Sequence, residues 1–193
     1  MVRVKQQPDR LALALVELCS LACRVLATHH YQPARQYWVA KAMNRVMNWE
    51  DKLSELFAAK LQTPFKWGSN DCCMFVADSV KSITEVDISE WFRGRYQGRS
   101  KAFKLLKEFA QGSVVETMEE ITTKYGMKET DPGLLMPGDV VTMKANPLDP
   151  IAGRLSNGVT VGIESFTKGS IFSPGKDGLV LSMRPHIYKA WAI

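Results

Sequence analysis

Two adjacent cysteines, Cys72 and Cys73, follow the stretch Phe65-Lys66-Trp67-Gly68-Ser69-Asn70-Asp71. Gly68, Ser69 and Asn70 mark that stretch as a loop. Asp71 carries the short acceptor that caps a helix beginning at Cys72. A thiol in the first turn of a helix meets free backbone N–H groups and the positive end of the helix dipole, and both favour the thiolate. That placement suits a cysteine nucleophile. It equally suits a small buried apolar side chain, the commoner role of an intracellular cysteine. Of the adjacent pair, Cys73 is expected to point into the core and Cys72 toward the loop.

A thiol nucleophile needs a base, and the sequence offers few. Of three histidines, His29 and His30 precede the cysteines, and His186 alone follows them. His186 is an alternative base at the start of the last expected strand, a place where histidine is more often a surface residue. Asp71 would raise the neighbouring thiol's pKa by like charge. Asp78, six residues along, falls on the opposite helix face. No CxxC or Cys/His spacing suggests zinc, and Gly94 and Gly98 have no Walker or dinucleotide pattern around them. Neither metal nor cofactor is expected.

The elements that would position these residues change character along the chain. Residues 9–28 read as a helix, with Leu11, Leu15, Leu18 and Val25 at helical spacing. Residues 34–47 read as a second helix. Trp49–Leu61 reads as a third, with Leu53, Leu56, Phe57 and Leu61 on one face. A helix follows from Cys72 to about Ile83, then an irregular stretch over 84–98. Two more helices cover Ser100–Gln111 and Ser113–Lys124, the second opened by a Ser113-Val-Val-Glu116 capping box. From Pro137 the period becomes that of short strands: 139–143, 159–164, 170–172, 179–183 and 187–192. Helices first and strands second predict an α+β domain with a small antiparallel sheet.

Three stretches together carry a resemblance. They are Asp71-Cys72-Cys73-Met74-Phe75, Pro137-Gly138-Asp139-Val140-Val141, and Val159-Thr160-Val161-Gly162-Ile163. The chain resembles the NlpC-type cysteine peptidases, a papain-like family. Its pattern is Asp-Cys-Ser-Gly-Phe, then Pro-Gly-Asp-Leu-Val, then His-Val-Gly-Ile. It is more similar still to a phage- and prophage-associated domain family of unknown function. Phe65–Cys73, Arg93-Gly94-Arg95-Tyr96, Gly138–Val141 and Ala190-Trp191 match that family's motifs, over about residues 47–193. The resemblance implies an NlpC-like fold with Cys72 at the nucleophile position. Thr160 then stands at the usual histidine position, and a hydroxyl cannot take a proton from a thiol near neutral pH. The third polar position falls near Phe172 or Ser173.

Candidate binding residues are Trp67 and Asp71 in the first motif and Arg93, Arg95 and Tyr96 in the second. Residues 91–107 hold six basic groups and no acidic one, interleaved with Trp91, Phe92, Tyr96 and Phe103. Such a segment reads as an anion contact or as a solvated face that packs its aromatics.

Charge divides the 193-residue chain, whose net charge is +5. Residues 1–50 hold seven basic and three acidic groups, leaving the remaining 143 residues nearly neutral. A basic extension (1–46) joined to a domain (47–193) is expected, the extension being a docking arm or an upstream-start artefact. The nearly neutral body argues against nucleic acid as a partner. Hydrophobic content of 46% and charged content of 23% are those of a globular domain. No run approaches the ~20 apolar residues of a membrane span. Glu17 and Arg24 break up the apolar start, which argues against a secretory signal.

The leading expectation, from the resemblance, is a phage tail-associated or virion structural protein with a degenerate NlpC-like fold. Its partners would be other tail proteins, and its place the host cytoplasm during assembly and then the virion. The alternative is an active cysteine hydrolase that cuts peptidoglycan stem peptides. A second alternative is an anion-binding module built on residues 93–107.

Overall fold

Burial on two sides dictates the character of the central elements. In the computed structural model, which describes residues 43–151 and 155–193, the helices precede a six-stranded antiparallel sheet. The described residues belong to a unit spanning Ala40–Ile193. The fold is α+β.

Helix α1 (Trp49–Lys60) has Glu50 and Asp51 in its first turn and Lys60 in its last, as the helix dipole favours. It buries Leu53 and Phe57. Leu61, expected on the same face, lies just past the helix end and is 53% exposed. Helix α2 (Cys72–Thr84) is apolar nearly all round and sits in the core, burying Met74, Phe75, Val76, Val80 and Ile83. Phe75 stacks on Phe57 with ring centroids 6.1 Å apart. Replacing a fully buried Phe75 by Ala would cost about 3–5 kcal/mol.

Helix α3 (Arg99–Phe109) and helix α4 (Val114–Tyr125) complete the helical layer. The Ser113–Glu116 capping box forms as the sequence predicts, and Gly126 closes α4 in the left-handed region. Of the expected N-terminal helices, 9–28 lies outside the described residues. So does most of 34–47, whose described residues 43–47 are not helical.

The strands are β1 (Lys128–Glu129), β2 (Val140–Lys144), β3 (Val159–Glu164), β4 (Ser170–Pro174), β5 (Leu179–Met183) and β6 (Ile187–Ala192). Their order is β1-β6-β2-β3-β4-β5, every neighbouring pair antiparallel. The short strand β1 was not anticipated, since two exposed polar residues give no alternating pattern.

Side-chain alternation splits the sheet into two buried faces. Val140, Val161, Ile163, Phe172 and Trp191 join the helix-packed core. Val141, Met143, Ile171 and Ala190 form a second core with Leu135 and Ile187. A strand covered on both sides reads as a continuous apolar run, as Val140-Val141-Thr142-Met143 does. Gly162 is required between the faces' neighbours, because a Cβ there would lie 2.5 Å from Ile171 Cγ2 and 2.7 Å from the Phe172 carbonyl oxygen.

Candidate functional site

Asp71 organises the start of α2. Its Oδ1 accepts from the Met74 N–H at 3.0 Å, which caps the helix. Its Oδ2 accepts from the Gly68 N–H at 2.7 Å and from the Tyr96 hydroxyl at 2.5 Å. The carboxylate therefore holds three donors while 1% exposed. Gly68 fits beneath the second motif without a side chain, because a Cβ there would overlap the Tyr96 carbonyl oxygen. The loop before the cysteine and the Arg93–Tyr96 segment are thereby locked together.

Cys72 is buried at 3% exposure, whereas Cys73 is half-buried. This reverses the expected orientation of the pair. The cause is the sheet: the helix packs on β3, and Cys72 joins Val161 and Ile163 in one core, which no local sequence signal could show. The Cys72 thiol is held below the ordinary cysteine value by the Cys73 thiol first, then by the Val161 backbone and the Thr160 hydroxyl. Burial and the Asp71 carboxylate oppose that shift. Cys73 is pushed well above the ordinary value by Cys72, by burial and by Asp71. Within the pair Cys72 ionises first. Burial also raises the Tyr96 phenol, with the neighbouring thiols and Asp71 acting the same way. Tyr96 stays protonated and serves as a donor.

Trp67, Asp71, Cys72, Cys73, Tyr96 and Phe103 share the wall of one apolar cavity of about 40 Å³. That volume accommodates a few waters at about 10–15 Å³ each and no peptide substrate. The Trp67 ring meets Phe65 edge-on at 5.0 Å and Phe103 at 6.3 Å. A second space of about 10 Å³ is lined by Thr160 and Ser173 among others. Thr160 and Ser173, which the resemblance aligns with the histidine and a third polar group, thus line one space and carry hydroxyls. Phe172, the other possibility for the third position, turns to the helical core.

The remaining candidates lie elsewhere. His186 is exposed at the start of β6 and meets the Tyr188 ring edge-on at 4.9 Å. In the order β6-β2-β3 it lies two strands from Thr160, roughly 10 Å at the backbone. Arg93 pairs with Asp78 and Asp87 at 2.8 Å each. Arg95 lies over the Trp91 ring at 4.0 Å and donates to the Trp91 carbonyl. Neither arginine joins the Cys72 cavity, because each finds a partner within its own surroundings first. Among the described residues, no group of three His, Cys, Asp or Glu side chains is arranged to hold a metal. Among them too, no helix is long and apolar enough to cross a membrane.

Of the candidates named from the sequence, Trp67, Asp71, Cys72 and Tyr96 lie on one cavity, but the bonds between them were not legible. The Tyr96–Asp71 bond spans 25 residues and has no local signature. Gly68 was the available signal, since a glycine three residues before a cap often marks close backbone approach.

The family model described as Domain of unknown function (DUF6950) matches residues 44–193. No curated protein matches the chain.

Proposed function

From the premise that the chain belongs to the DUF6950 family, we propose that it is a phage tail-associated or virion structural protein. Its NlpC-like domain would be degenerate, keeping the nucleophile position without the chemistry. One observation supports the loss of chemistry: Thr160 stands where the resemblance places the base, and His186, the one histidine among the described residues, is exposed and two strands away. A hydroxyl can donate to a thiolate but cannot accept its proton near neutral pH. The small cavity beside the thiol supports the same reading, as an acyl substrate needs room beside the sulfur. The phage and tail assignments rest on the motifs shared with the phage-associated family.

The partners in this reading are other tail proteins, and residues 1–42 would be the docking arm. Particles assembled with the full chain should contain it in fixed proportion. Deleting residues 1–42 should abolish its incorporation while leaving the remainder folded. Unchanged incorporation would sink the docking role, and absence of the full chain from purified particles would sink the structural one.

A second reading, an active hydrolase of peptidoglycan stem peptides, has one observation in its favour. Cys72 stands at a helix N-terminus with its thiol held below the ordinary value. The anion-binding reading loses support from Arg93, whose charge is met by two carboxylates.

A further inference from the structure

The sheet face opposite α2 holds a cavity of about 230 Å³, larger than the space beside Cys72. Its wall includes Glu164, Gly169, Leu135, Ile171, Ile187 and Arg184. Strand register puts Glu164 on this face, directly opposite Ile171 of β4. Glu164 is 1% exposed. Its Oε1 accepts from the Gly169 N–H at 2.6 Å, and its Oε2 has no partner.

A desolvated carboxylate oxygen without a donor is costly to keep. The turn that presents it is nevertheless well determined. Arg184 adopts a positive φ of 44° while its N–H donates to the Gly169 carbonyl at 2.7 Å. That hydrogen bond fixes Gly169, and Gly169 fixes Oε1. The carboxylate cannot simply swing out to solvent without breaking this arrangement.

We propose that this cavity binds a small ligand carrying a primary ammonium group on a short apolar stem. The ammonium supplies N–H donors to Oε2 together with the compensating positive charge. Leu135, Ile171 and Ile187 supply the apolar wall along which the stem lies. A divalent metal ion fits less well, since the wall offers one carboxylate where calcium takes six to eight oxygens. The charged groups acting on Glu164 are Asp139 and Lys168. Burial first, and Asp139 with it, raises the Glu164 carboxyl above its ordinary value, against Lys168 and the Gly169 and Ser170 backbone. An ammonium partner would reverse that rise. The site lies on the face away from Cys72 and does not depend on the function proposed above.

The test is titration of the full chain with n-butylammonium chloride, followed by backbone amide NMR shifts. A five-heavy-atom ligand permits a Kd of about 1 mM, within reach of such a titration. Saturable shifts are expected at Gly169 and its neighbours, with none from n-butanol or butyrate. Glu164→Gln, which keeps the acceptor for Gly169, should weaken binding at least tenfold. Ile187→Phe, which fills the cavity and leaves the carboxylate in place, should do the same. Absence of saturable shifts in the unsubstituted chain would overturn the proposal. So would equal binding of butanol, or undiminished affinity in Glu164→Gln.

Discussion

The Tyr96 hydroxyl donates to the Asp71 carboxylate, and that same carboxylate caps the helix that begins with Cys72. A residue in an irregular segment thus fixes the first turn of the central helix. Removing the donor with Tyr96→Phe leaves Asp71 Oδ2 with the Gly68 N–H alone. A buried hydrogen bond to a charged acceptor contributes about 1.5–3 kcal/mol. Urea unfolding should show a loss of that size with an unchanged m-value.

The thiol's environment sets a titration order. Asp71→Asn keeps a capping acceptor but removes the negative charge that raises the Cys72 pKa. The ultraviolet absorbance of the Cys72 thiolate, which needs no reagent to reach the sulfur, should then appear at a lower pH than in the parent. Thr160→Val removes a group that lowers the pKa and should move the profile the other way. The Cys73 thiol should add its absorbance only at higher pH.

The Arg93 pairs predict a specific acid sensitivity. Burial raises the Asp87 carboxyl, but hydrogen bonds from Arg93 and Ser89 outweigh it and bring the value from 3.8 to about 2. Because the folded value is depressed, the contribution is full above about pH 4, the unfolded value, and is lost as pH falls toward 2. Arg93 is 38% exposed, so solvent screening reduces the contribution to about 1–2 kcal/mol. In Arg93→Ala the melting temperature should fall at neutral pH and lose much of its decline between pH 4 and 2.

Arg45 ties the start of the described chain to its end. Its guanidinium donates to the Pro137 carbonyl at 2.9 Å, to Asp139 at 3.0 Å and to the Ile193 carbonyl at 3.3 Å. Arg45→Met would leave Asp139, 3% exposed, without its cation. Because the Arg45 side chain is only 17% exposed, the loss should approach that of a broken buried pair, about 2–4 kcal/mol. Chemical denaturation measures it directly.

Local signals made the elements legible. The alternation in Val159–Glu164 and the Ser113 capping box each specify their structure within a few residues, and both formed. Asp71 was recognisable as a cap for the same reason. Partner choice was not legible, because it depends on chain returning from far away. Asp78 on α2 and Asp87 in the turn that follows it reach Arg93, so one cation of a segment that looked free to bind anions is internally paired. The inward turn of Cys72 depends on β3, nearly 90 residues later in the sequence. Glu164 was invisible as a site because, within an alternating strand, a buried carboxylate looks like any outward-facing polar residue.

The proposed loss of hydrolytic chemistry at Cys72 is open to direct measurement. The most direct measurement compares release of stem-peptide fragments from peptidoglycan by the full chain and by Cys72→Ala. With Thr160 in place of a base, the two should be indistinguishable and both at background. Turnover by the parent that disappears in Cys72→Ala would show that Cys72 is a working nucleophile.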